Sequence, residues 1–280
     1  MDVAQEKTES RQRKFPWRWL GVILLAVIIA VWLGFTPEGV FGKTDAVGYA
    51  VCHRIDARSF HFAGRQFSLC ARCTGQYLGA LTGLAFQALY RPRRSGSPPK
   101  RVIAVLVLLA GLYGLDGLNS YVQLPVLLKA LPGIPHLYEP SNVFRVLTGT
   151  GMGLVLATAL FPAFNSTLYR QPHPSPAIPG LRSFLLMAAI TLVVGGLSLT
   201  SIDWILLPLS LISALGVIVL LVMVYTMVLL MIFRRDNHYE RVSQAIYPLL
   251  GALGMTILQI AVLDIGRFLL TGTWGEIPFQ

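Results

Sequence analysis

Charge is what this chain has least of. Only 13% of its 280 residues are Asp, Glu, Lys or Arg, against ~25% in an ordinary soluble domain. That shortfall excludes a surface built to face water on all sides. With 54% hydrophobic residues, it points to a polytopic membrane protein whose outer surface meets hydrocarbon. Acidic residues are scarcer still, 13 against 23 basic ones, for a formal charge of +10. Most of the basic residues flank apolar segments, so the excess reads as membrane topology, with lipids as the partners and no nucleic acid. Cysteine is nearly absent. Three cysteines cannot all pair within one chain, which excludes a small secreted disulfide framework. A nucleotide-binding loop is missing too: Gly149, Gly151 and Gly153 lie inside an apolar segment with no following lysine. No Ser/His/Asp order can be argued from the sequence.

What is there is a series of apolar segments. Residues 1–19 read as a polar cytoplasmic tail closing on interfacial Trp17 and Trp19, and 20–280 as the transmembrane domain. Spans are expected at Leu20 to Phe35, Cys73 to Tyr90, Val102 to Asn119, Asn142 to Phe161, Ser183 to Thr200, Trp204 to Phe233 and Ala245 to Leu270. The first is read as an uncleaved helix rather than a signal peptide, because no convincing cleavage site follows it. Thr36 to Ala71 reads as the first long loop. Ser120 to Ser141, with its Val126-Leu-Leu, reads as a mixed segment that lies in a loop or on the membrane surface. The sixth span, thirty residues without a charge, would be ~45 Å long against a ~30 Å hydrocarbon core, so it must tilt or begin in the interface. The expectation is therefore an all-α bundle of about seven spans. Alternate loops place 15 of the 23 basic residues on one side, which puts the N-terminus in the cytoplasm. Gly75, Gly79 and Gly83 share one face of the second span, and Gly149, Gly151 and Gly153 begin a similar run on the fourth. Both are helix-packing signals.

All three cysteines fall within 22 residues, on the expected outer side, as Cys52-His53-Arg54, then Arg58 and His61, then Cys70-Ala71-Arg72-Cys73. A C-x2-C pair is half of many tetrahedral zinc sites. Cys52 with His53 would complete a Cys3His set, with zinc the expected metal, provided the chain turns between them; otherwise His61 supplies the fourth ligand, or the position stays open to water. The alternative is redox. Cys70 and Cys73 at a helix N-terminus beside Arg72 favour thiolates, as in membrane thiol–disulfide oxidoreductases, with a quinone as cofactor. Such enzymes use a second cysteine pair, and this chain offers only Cys52. A structural disulfide between Cys70 and Cys73 is the third reading.

Ionisable residues in spans are site candidates. Asp116, Glu139, Asn142 and Arg145, together with Arg54, Arg58 and Arg72, are expected around one polar cavity at the level of the cysteines. Arg145 should lie within salt-bridge reach of Asp116 or Glu139, and Asp264 and Arg267 form an i, i+3 pair on the last span.

The stretch Cys52-His53-Arg54, Arg58-Ser59-Phe60 and Cys70-Ala71-Arg72-Cys73-Thr74-Gly75 resembles the signature of a family of prokaryotic integral membrane proteins of unknown function, domain of unknown function 2085. Asp116-Gly117 and Ser141-Asn142-x-x-Arg145-x-x-Thr148-Gly149 are similar to its second and third blocks. The resemblance covers residues 51–153; the C-terminal spans, 181–280, lie outside it. It implies a prokaryotic cell-membrane location and supports the site residues, but carries no reaction. Three function classes follow: a metal-dependent enzyme acting on a lipid or small anionic substrate, a thiol–disulfide oxidoreductase, or a transporter or accessory subunit stapled by a metal or disulfide.

Overall fold

The computed structural model describes residues 17–275 apart from 125, 126, 128, 130–134 and 136. Most of the expected cytoplasmic tail and Val126 and Leu128 of the mixed segment lie outside the described residues. Eight helices dominate the described residues: α1 (Trp17–Phe35), α2 (Gly39–Val51), α3 (Ala71–Tyr90), α4 (Lys100–Val122), α5 (Asn142–Leu168), α6 (Leu181–Gly196), α7 (Asp203–Ile232) and α8 (Ile246–Thr271). Two small sheets join them. An antiparallel hairpin pairs β1 (Ser59–Phe62) with β2 (Arg65–Cys70), and a parallel pair joins β3 (Arg94–Gly96) to β4 (His173–Pro176).

All seven segments expected to span are helical, but the count of spans differs. Five of the described helices, α4 to α8, are long and apolar enough to cross a membrane, and α1 with α2 passes only as one pair bent by 101°. The bend falls at Pro37, which cannot continue a helix, and at Gly39, in the left-handed region at φ +76°. The remaining segment, α3, packs on α5, α6 and α7. Its surface meets protein rather than lipid, so it can carry Arg72, Gln76 and Gln87. Gln87 donates to the Ala157 carbonyl at 2.9 Å, and Gln76 accepts from Tyr113 Oη at 2.8 Å.

The interval expected to be a loop, Thr36 to Ala71, is ordered instead as α2, a 3-10 turn (Asp56–Arg58) and the hairpin. Single-period hydropathy misses it because α2 is short and mixed in character. Its packing is nevertheless close: Gly48 abuts the Ser68 carbonyl with no room for a Cβ, which sets α2 against β2.

The helices assort by end. One end gathers α2, the hairpin, the N-termini of α3 and α5, the C-termini of α4 and α8, and the turn before α7. Arg58 reaches the Ser120 carbonyl, Asn142 the Ser59 carbonyl, and the Ala63 amide donates to Asp203. The opposite end is closed by β3 on β4 and by the Arg170 amide donating to the Tyr239 carbonyl. Alternate connections thus meet at alternate ends, as a bundle of successive crossings requires. The closest helix-on-helix seam is α3 against α5: a Cβ on Gly149 would run into the Arg72 carbonyl, and one on Gly153 would come within 2.5 Å of the Gln76 carbonyl. That approach carries Arg72, in the first turn of α3, up to the level of Asp116.

Candidate functional site: a thiol cluster beside an arginine network

The three cysteines arrive from three local structures. α2 stops at Val51 and Cys52 is its C-cap, in extended conformation at φ −135°. The chain then reverses through Arg54, held in the left-handed region at φ 53°, a costly place for a residue with a Cβ. Cys70 ends β2 and is the N-cap of α3, and Cys73 follows in the first turn. All three sulfurs lie within 4.8 Å of one another, and the thiols are free. Cys52 and Cys70 are buried, and the Cys70 amide donates to Cys52 Sγ at 3.4 Å. The hydrogen bond from Cys52, with further help from Cys73 and His53, holds the Cys70 thiol well below its usual value. The same contact with Cys70 pushes Cys52 up to about 12.

His53 stands beside this cluster, with Nδ1 3.6 Å from Cys52 Sγ. His61 does not: it is exposed on the hairpin and engages Asp56 Oδ1 at 2.9 Å. Arg267 fixes the turn from below. Its guanidinium donates to the carbonyls of Tyr49, Cys52 and His53 and lies 3.9 Å from the centroid of the Tyr49 ring. It thus meets the negative end of α2 with a positive charge. Asp264, one turn before Arg267 and within its electrostatic reach, accepts a hydrogen bond from Trp32 Nε1 at 3.2 Å.

The polar residues divide into two networks. Arg54 turns to Asp45 (3.2 Å), which also pairs with Arg65. On the other flank, Asp116 is 1% exposed and every one of its oxygens is used. Arg72 and Thr148 donate to Oδ2 at 2.9 Å (Arg72 Nε) and 3.1 Å, and Tyr138 donates to Oδ1 at 2.6 Å. Burial and the bond to Asp116 push the Tyr138 hydroxyl up to about 12, so it stays a donor. The ion-pair partner of Asp116 is therefore Arg72; Arg145, expected within reach of Asp116 or Glu139, does not form an ion pair with Asp116. The Arg72 side chain reaches across from the first turn of α3 to Asp116, while Arg145 donates to Asn142 Oδ1 at 2.8 Å. Arg58, Arg72 and Arg145 lie within electrostatic reach of one another and of Asp116, and Arg58 and Arg145 also of Cys70. Glu139 is exposed on the coil before α5, because Ser141 caps that helix and Asn142 begins it. The network's other members, Ser120, Tyr138 and Thr148, and Asp45 on the far flank, were not anticipated. Only Thr148 had a signal, as part of the third resembling block.

An apolar helical bundle with thiols and arginines gathered at one end defines a class, integral membrane proteins. The chain belongs to the family described as "Predicted membrane protein (DUF2085)", which matches residues 52–159. An uncharacterized protein of Methanothermobacter thermautotrophicus is 34% identical over 107 residues, 38% of this chain and 81% of the relative. An uncharacterized protein of Methanocaldococcus jannaschii is 25% identical over 126 residues, 45% of this chain and 71% of the relative. No solved structure matches. The family match takes in the hairpin, α3, α4 and two-thirds of α5, and with them all three cysteines, Asp116 and the three clustered arginines.

Proposed function

We propose that Cys52, Cys70 and Cys73, with His53, bind a metal ion at the extracytoplasmic end of the bundle, and that the metal serves a reaction on a lipid or small anionic substrate. The observation that carries this reading is the mutual approach of the three sulfurs within 4.8 Å. A disulfide would need only two sulfurs, and a purely structural thiol none. Thiolates around zinc sit ~3.5–4 Å apart, and three soft sulfurs with an imidazole are the donor set zinc favours. His53 is adjacent to Cys52 in a turn, the one geometry in which sequence neighbours can face the same ion. The imidazole can either ligate or stay aside and leave a coordination position open.

The test is elemental analysis of the purified protein with thiol counting under non-reducing conditions. About one zinc per chain is expected, lost in Cys73→Ser, since removing one of four ligands removes most of the affinity. A metal-free protein with Cys70 and Cys73 oxidised to a disulfide would sink this reading and favour the thiol–disulfide oxidoreductase.

A further inference from the structure

We infer that Arg58, Arg72 and Arg145 form a binding site for a phosphoryl dianion beside the cysteine cluster. The inference deepens the proposed function by naming the chemistry of its anionic substrate, and it rests on that reading only for its neighbour.

Charge balance carries the argument. Three guanidiniums share one neighbourhood with a single carboxylate, Asp116, and that carboxylate is spent. Its Oδ2 takes Arg72 and Thr148 and its Oδ1 takes Tyr138. Asp116 therefore neutralises Arg72 and nothing more. Arg58 donates to a neutral acceptor, the Ser120 carbonyl at 2.9 Å, and Arg145 to another, the Asn142 side-chain oxygen. Asp116 is the carboxylate that faces both Arg58 and Arg145. Asp45 serves Arg54 and Arg65, Asp56 engages His61, Asp203 accepts from the Ala63 amide and Asp264 from Trp32.

Two positive charges thus remain at the level of the helix ends, where solvation is poor. Arg145 is only 7% exposed, and its Nε, like those of Arg54 and Arg267, has no hydrogen-bond partner. A buried guanidinium N–H left open is costly, and at Arg145 an anion's oxygen would satisfy it. Guanidiniums recognise phosphoryl groups through paired N–H donors, and a dianion matches the uncompensated charge. The same chemistry comes from two sources, a phosphorylated lipid headgroup or free phosphate.

A rival explanation is that Arg58 and Arg145 serve as counter-charges to the Cys70 thiolate and bind no ligand. Calorimetric titration of inorganic phosphate into the full-length protein in detergent separates the two. Saturable binding is expected, weakened at least about tenfold by Arg145→Gln and less by Arg145→Lys. Arg94→Gln, at the opposite end, leaves it unchanged. Arg58, only half-buried, provides the second variant: Arg58→Gln should weaken phosphate binding even if Arg145→Gln does not fold. A parallel arm uses nanodiscs of phosphatidylcholine with and without phosphatidic acid. Binding to phosphatidic acid alone assigns the headgroup as the source, and binding of inorganic phosphate assigns the free anion; both support the site. No phosphate binding and no preference for phosphatidic acid overturns it, as does wild-type affinity in a folded Arg58→Gln. Cys73→Ser keeps this test apart from the metal reading. Phosphate binding that survives in that variant supports the anion site whatever happens to the metal, and zinc without any phosphate binding overturns the anion site alone.

Discussion

Arg72 holds Asp116 from two sides. Its Nε and Nη2 both reach Asp116 Oδ2, at 2.9 and 2.5 Å, and Nη2 also donates to the Asp116 carbonyl and to Ser120 Oγ. The pair joins the first turn of α3 to the last turns of α4, and Asp116 is 1% exposed. Breaking a buried ion pair leaves an uncompensated charge, at a cost of about 3–5 kcal/mol, whereas replacing both partners by apolar groups is far milder. Asp116→Asn should therefore lower the thermal unfolding temperature in detergent sharply, and Arg72→Met with Asp116→Leu together should recover much of the loss. A double variant no better than the single would show that the pair does not act as a unit.

The two histidines of the cysteine stretch should separate cleanly. His53 Nδ1 is 3.6 Å from Cys52 Sγ, while His61 is exposed and engaged by Asp56. His53→Ala should lower metal affinity by about 10-fold or more whether it ligates or orients a ligand, and His61→Ala should leave it unchanged. Competition with a chelator of known affinity reads both. Equal effects of the two substitutions would place the metal elsewhere on the hairpin.

The seam between α3 and α5 predicts a steric effect. A Cβ at Gly75 would come within 2.5 Å of the Val146 carbonyl, and one at Gly153 within 2.5 Å of the Gln76 carbonyl. Backbone cannot yield as a side chain can, so Gly153→Val should cost about 1–3 kcal/mol or more. Gly111, on α4 with nothing within 4 Å of its Cβ position, should accept Ala without loss. Unfolding temperatures of the purified variants decide this.

The helices and the cysteine stretch were legible in the sequence because apolar runs and soft-ligand spacing are local signals. The glycine faces of α3 and α5 were legible too, as packing surfaces, though not that the two pack on each other. What stayed hidden depends on chain reversal. α2 is too short and mixed to register as a helix, so Gly48 against Ser68 and Asp45 against Arg54 could not be read. The pairing of Asp116 with Arg72 is hidden for a related reason. Arg72 and Arg145 both stand at its height in the membrane, and only the direction of the Arg72 side chain, across to α4, decides between them. Tyr138 enters through a coil with no periodicity at all. The polar residues around the thiols also divide into two flanks rather than lining one cavity, because the hairpin turns Arg54 toward α2 and Arg58 toward α4.

Orientation gives the last prediction. The cysteine end carries Arg54, Arg58, Arg72, Arg145 and Arg267, yet each of these makes a specific bond within the protein. These bonds fix them within the fold, so they should not count in a loop census. The opposite end carries basic connections such as Arg91 to Arg94 and Arg234-Arg235, exposed or partly so, and these are the kind that hold a loop in the cytoplasm. The thiol cluster should accordingly face out. Two exposed positions report it, His61 on the hairpin and His173 on β4. In intact cells a membrane-impermeant maleimide should label His61→Cys above the wild-type background, and His173→Cys only after the cells are opened. The reverse pattern would put the cluster in the cytosol, where thiols are kept reduced. That outcome would remove the oxidoreductase alternative and leave metal binding as the use for three converging sulfurs.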